Sequence, residues 1–240
     1  MNMKQLNFRA LNVINPIIRA CTESGIGRPK GLQPKIIPAI FEKRDIICSS
    51  NEESDDILAF AIPILQLMKK SNVDHRKART IILVNNGEEA RKIDDYFKKV
   101  CKYIPLSRCQ ITEESLIGNQ IYMLKQSQEV IIATPENLAE LIRMKHADFS
   151  NLEIAVFYNL NEMMNSDVED LEIIIQNFPR KIQMLFFSEV LKKSSLKFAQ
   201  KHTINPVMAG IEMKLPLSEK IIPHQQSNDQ NQKEKDLLIV

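Results

Sequence analysis

The chain has 240 residues, 44% of them hydrophobic and 26% charged, which is enough for one large α/β domain with a sizeable buried core. Its 32 lysines and arginines against 30 aspartates and glutamates give a formal charge of +2, which excludes the broad basic excess of a protein that grips nucleic acid through many phosphate contacts. Cys21, Cys48, Cys101 and Cys109 show no C-x-x-C spacing and the four histidines are scattered, so neither a zinc cluster nor a disulfide framework is expected.

The N-terminal stretch from Met1 to Arg9 lacks the apolar core of a signal peptide, and no apolar run approaches the ~18 residues of a membrane helix. An intracellular, soluble chain is expected. Ile46-Ile47-Cys48 is the first short apolar run, followed by helical periodicity over 58–70. Then come Ile81-Ile82-Leu83-Val84 and a helix over 88–100, and Val130-Ile131-Ile132-Ala133 and a helix over 135–144. Ile154-Ala155-Val156-Phe157 precedes a helix over 168–177, and Met184-Leu185-Phe186-Phe187 precedes one over 194–202. Runs that are apolar at every position are strands buried on both faces, and their alternation with helices predicts a parallel sheet of βαβ units. Thr134-Pro135 supplies an N-cap hydroxyl and a first-turn proline directly after a strand. The domain is expected to span 1–215. Residues 216–240, rich in Gln, Asn, Ser and Lys, are expected to form a mobile polar tail.

A further pattern lies upstream of the first strand. Phe8 stands seventeen positions before Gly25, which opens Gly25-Ile26-Gly27-Arg28-Pro29-Lys30-Gly31-Leu32-Gln33. The same order continues through Ile37-Pro38, Arg44-Asp45-Ile46-Ile47, Ala59-Phe60 and Pro63, and then through Leu83 to Ala90, Thr134-Pro135, Val156, Phe187-Ser188 and Pro206-Val207. Taken as a set, these residues resemble the first domain of DEAD-box RNA helicases over roughly residues 6–215. The resemblance implies an α/β, three-layer RecA-like domain of the P-loop NTPase type, with a mainly parallel sheet flanked by helices. It also implies ATP and Mg²⁺ as cofactors, Phe8 and Gln33 at an adenine pocket, Ser54 in a phosphate loop, and Gly118, Thr134 and Pro135 toward RNA.

The chemical residues of that family are largely replaced. A phosphate loop needs glycines that let backbone N–H groups curl around phosphate, a Lys that neutralises it, and a hydroxyl that holds Mg²⁺. The corresponding window reads Ser50-Asn51-Glu52-Glu53-Ser54-Asp55-Asp56-Ile57, so Glu53 and Asp55 stand for glycines, Asp56 for the Lys and Ile57 for the hydroxyl residue. A carboxylate about 5 Å from a phosphate charge costs about 3 kcal/mol at an effective dielectric near 20, before screening. Asp55 and Asp56 are instead favourable just ahead of a helix beginning near Leu58. Where the family carries Asp-Glu-Ala-Asp this chain has Tyr158-Asn159-Leu160-Asn161, and its Ser-Ala-Thr motif reads Ser188-Glu189-Val190. Gly87 and Asn137 stand where the family has two phosphate-pairing arginines.

The expectation is therefore no catalytic residue, no resident metal and no ordinary Mg-ATP binding. Phe8 and Gln33 become a vestigial adenine pocket, with Gln33 serving a backbone bond, and Ser54 the remnant of the phosphate loop. A protein-interaction or RNA-associated scaffold, with a protein partner and weak RNA contact, is the first functional expectation. No feature points to DNA or membrane. The alternative is an ATP-dependent RNA helicase that uses a second RecA-like domain. The Lys192-Lys193, Lys197 and Lys201 stretch is read as a solvated helix face.

Overall fold

The computed structural model describes residues 6–50, 53–70, 77–126 and 128–210, with the backbone alone for 53–55 and 70. Seven strands, β1 (Ile46–Ser49), β2 (Thr80–Leu83), β3 (Arg108–Ile111), β4 (Val130–Ala133), β5 (Ile154–Tyr158), β6 (Gln183–Ser188) and β7 (Val207–Ala209), form one sheet in the order β3-β4-β2-β5-β6-β1-β7. Every pairing is parallel; Ile82 lies beside Ile132 on one side and Val156 on the other, and Cys48 lies beside Phe187 and Ala209.

The period of two along each strand divides the apolar side chains between two cores. Ile82, Val156, Leu185 and Phe187 face a layer made by α1 (Asn15–Glu23), α2 (Gln33–Phe41), α3 (Glu53–Lys70) and α4 (Gly87–Val100). Ile81, Ala155, Phe157 and Phe186 face α6 (Pro135–Arg143), α7 (Leu160–Ser166), α8 (Val168–Gln176) and α9 (Lys193–Lys201). A short helix, α5 (Ile117–Lys125), packs beside β3. The expected three-layer RecA-like architecture is thus present, and all five expected strands and five expected helices occur at their predicted places within a few residues.

Two local expectations need correction. Helix α3 begins at Glu53 rather than near Leu58, so the acidic residues form its first turn instead of preceding it; negative charge there is favourable against the helix macrodipole. Thr134 occupies the N-cap of α6 with Pro135 in the first turn, yet its hydroxyl caps no backbone N–H. Its O–H donates to Asn137 Oδ1 at 2.7 Å, a local side-chain bond in place of the cap. The polar tail over 216–240 lies outside the described residues.

The cysteines behave as structural thiols. Cys21, Cys48 and Cys109 are buried, and burial pushes the thiols of Cys21 and Cys109 up to about 12. No described helix is long and apolar enough to cross a membrane.

The outer strand β3 is tied to α4 by charge. Asp94 accepts from Arg108 Nε at 2.8 Å and pairs with Lys98 Nζ at 2.9 Å. Burial would raise the Asp94 carboxyl, but the hydrogen bonds and charges of Arg108 and Lys98 outweigh it and hold the group below its ordinary 3.8. A folded pKa below the unfolded one contributes stability above the ordinary aspartate range and loses it as pH falls through the folded value. Asp94→Asn is expected to destabilise the domain at pH 7 by about 1–3 kcal/mol. In thermal melts at about pH 3 and below, the difference from wild type should shrink.

Candidate functional site

The carboxyl ends of β2, β5, β6 and β1 lie side by side in the sheet, and in open α/β sheets the crevice outside those ends is where ligands bind. The segment after β1 carries the acidic turn. From Glu53 onward the backbone is helical, so N–H groups from Ile57 on are engaged with carbonyls four residues back rather than curled around an open loop. The Ser54 backbone lies in that turn. Asp56, at the position of the family's Lys, is only 6% exposed, and Ile57, at the position of the metal-holding hydroxyl, is fully buried. Burial first, and then the charge of Asp56, raise the Cys48 thiol at the end of β1.

After β5 the substituted turn is occupied differently at each position. Tyr158 is a core residue whose ring meets Phe60 edge-on at 6.2 Å, so the metal-holding carboxylate of the family is replaced by an aromatic anchor. Asn159 adopts a left-handed conformation, φ 60° and ψ 50°, which asparagine tolerates better than most residues. Its Nδ2 donates to Glu89 Oε1 at 2.5 Å, while Glu89 Oε2 accepts from the Asn85 backbone N–H at 2.9 Å and its side chain at 3.2 Å. Asn161 reaches the turn after β6: its Nδ2 donates to the Val190 carbonyl, its Oδ1 accepts the Lys192 N–H at 3.2 Å, and its N–H meets Ser188 Oγ at 3.4 Å. Ser50 N–H donates to Ser188 O at 3.0 Å and Ser49 Oγ to Glu189 O at 3.0 Å, closing β1 onto β6. Glu162 is solvent-exposed on α7, as expected. Among the described residues no group of three or more His, Cys, Asp or Glu is placed to hold a metal ion.

Gln33, 1% exposed, accepts the Lys30 backbone N–H through Oε1 at 3.1 Å, the backbone bond expected of it. It lines a cavity of about 210 Å³ with Gly25, Ile26, Arg28, Lys30 and Tyr96, below the usual ligand-pocket range of about 300–1,000 Å³. Phe8 does not line this cavity. It is 2% exposed and packs in the core with Leu11, Val13 and Ile17.

The residues expected to face RNA are not gathered by their side chains. Gly118 is exposed in the first turn of α5 with open space around it, whereas Thr134 and Pro135 are buried at the start of α6. Gly87, at the place of a phosphate-pairing arginine, is buried, and its N–H donates to Glu113 Oε1 at 3.0 Å. A side chain there would strike the Glu114 carboxylate, which pairs with Arg91. The start of α4 is therefore closed by the chain's own acids. On α9, Lys193, Lys197 and Lys201 are exposed, and Lys201 pairs with Glu172 at 2.6 Å.

Sequence reasoning did not foresee Asn85 and Glu89 as site residues. Neither carries a signal in the sequence, since their partner Asn159 lies 70 or more positions away.

The model of the DEAD/DEAH box helicase family matches residues 30–197, well over half of the chain. The chain belongs to the DEAD/DEAH box helicase family. Relatives include the ATP-dependent RNA helicase DBP10 of Candida glabrata, 26% identical over 99% of this chain and 24% of the relative. Another is the ATP-dependent RNA helicase DbpA of Bacillus subtilis, 24% identical over 83% of this chain and 41% of the relative. The chain thus spans about a quarter of the length of such DBP10 relatives. Among solved structures, a DEAD box protein from Methanococcus jannaschii superimposes with a TM-score of 0.79 at 23% identity, over 85% of this chain and 55% of that one. Saccharomyces cerevisiae Dbp5 bound to RNA and ADP BeF3 gives 0.76 at 18% identity, over 86% and 52%. These two likenesses carry the fold.

The Gln33 bond gives a direct test of that residue. Gln33→Ala leaves the Lys30 N–H without its acceptor and opens a buried space, so the domain should lose about 1–3 kcal/mol of stability in urea unfolding. An unchanged midpoint would remove Gln33 from the set of residues that fix this loop.

Proposed function

We propose that this chain is a non-catalytic DEAD-box module that acts in RNA metabolism as a protein-interaction or RNA-associated scaffold. The observation that carries the reading is the helical, acidic turn that begins at Glu53, where the family's chemistry calls for a glycine-rich loop and a cation. In-line phosphoryl transfer is driven by positioning and by positive charge around the phosphoryl group. Here the segment after β1 offers carboxylates, Tyr158 takes a metal-holding position with a buried ring, and Asn159 takes the water-orienting one with an amide.

Weak RNA contact is part of the reading, since Thr134, Pro135 and Gly118 persist. The carboxylates of Glu113 and Glu114 at the start of α4 oppose a tight phosphate grip. With a near-neutral net charge, the module would depend on protein contacts for most of its affinity. Such a module would work inside the cell, beside RNA and its proteins.

A second reading is favoured by the relatives, which are named ATP-dependent RNA helicases and are about four times as long in the DBP10 case. On that reading the chain contributes one RecA-like domain, and a second domain completes a nucleotide site. Calorimetric titration with Mg-ATP separates the two. The scaffold reading expects no saturable heat below about 1 mM, a binding free energy weaker than about −4 kcal/mol. Micromolar binding would overturn it and restore the helicase reading.

A further inference from the structure

We propose that the two asparagines of the turn after β5 form an amide clamp that locks the loops following β2, β5 and β6 into one fixed arrangement without any bound ligand. The proposal concerns how the site is held, and it stands or falls apart from whether nucleotide binds.

Asn161 donates through Nδ2 to the Val190 carbonyl and accepts the Lys192 N–H through Oδ1 at 3.2 Å. Only a side chain that carries both a donor and an acceptor satisfies that pair; an ionised carboxylate is acceptor-only. Asn159 donates through Nδ2 to the Glu89 carboxylate at 2.5 Å, and its backbone carbonyl is met by Asn85 Nδ2 at 3.5 Å. An acid at 159 would set one carboxylate against another. Glu89 in turn holds the Asn85 N–H at 2.9 Å, so the β2 loop is tied to the β5 turn through one shared carboxylate.

The chain of bonds runs in the order of the strands. The β2 loop is joined to the β5 turn by Glu89 and Asn159, and the β5 turn to the β6 turn by Asn161. The β6 turn is joined to the end of β1 by Ser50 and Ser49. Four neighbouring strand ends are thereby sewn together by the chain's own polar groups. A site held in this way presents one constant surface to a partner, instead of two surfaces exchanged by a ligand.

Backbone amide exchange measured by NMR on the full chain, without nucleotide, tests the clamp. Asn161→Ala, which removes the acceptor of the Lys192 N–H, should accelerate exchange at Lys192 about tenfold, and Asn159→Asp, which sets a second carboxylate against Glu89, should do the same at Asn85. Amides of Ile82 and Leu185 in the core should stay as protected as in wild type. The double variant Asn159→Asp with Glu89→Gln swaps donor and acceptor and should restore protection at Asn85. If Asn159→Asp alone does not fold, a folded double variant with Asn85 protected supports the clamp equally. Unchanged exchange in the single variants, or a double variant that leaves Asn85 unprotected, would overturn it.

Discussion

A helix N-terminus carries partial positive charge on unsatisfied N–H groups, and it can be complemented either by a bound anion or by the chain's own acids. In this domain α3 begins at Glu53, and its first turn contains Glu53, Asp55 and Asp56. A phosphate arriving there would meet a turn whose sequence carries three carboxylates and no lysine. Buried Tyr158 and Ile57 strengthen the core where a metal site would weaken it.

The same logic repeats at the start of α4. Asn86 caps the helix by accepting the Glu89 N–H at 2.9 Å, and Glu113 takes the Gly87 N–H. Both helix starts along this edge of the sheet are therefore provided for internally. The parallel sheet, which positions ligand chemistry in its relatives, here positions a network of amides and carboxylates that satisfy one another. The two cores fill the space between the layers, and residues beside the strand ends, Ile57, Tyr158 and Leu160 among them, add to them.

Much of this was legible in the sequence, for identifiable reasons. The five inner strands each carry a run of three or more consecutive apolar residues because both faces are covered, and a run such as Val130-Ile131-Ile132-Ala133 can be read directly. The strand β3 reads Arg108-Cys109-Gln110-Ile111 with alternating burial, and β7 has three residues, so neither shows a run. Helix α2 was masked by prolines at its start and at Pro38. Helix α5 is short, its apolar Ile121, Met123 and Leu124 are only partly buried, and its buried residue is Gln120, which bonds the carbonyls of Thr112 and Ser115. At the site, the missing glycines and acids could be read one by one. The partnership of Asn85, Glu89 and Asn159 could not, because it joins residues 70 or more positions apart through side-chain geometry alone.

The central claim is that negative charge in the first turn of α3 closes this site to phosphate. Thermal melting in millimolar Mg-ATP measures it most directly when wild type is compared with a variant carrying Glu53→Gly, Asp55→Gly and Asp56→Lys. The account predicts a wild-type midpoint that does not move with nucleotide and a variant midpoint that rises with it. A saturable rise in the wild-type midpoint would contradict the account.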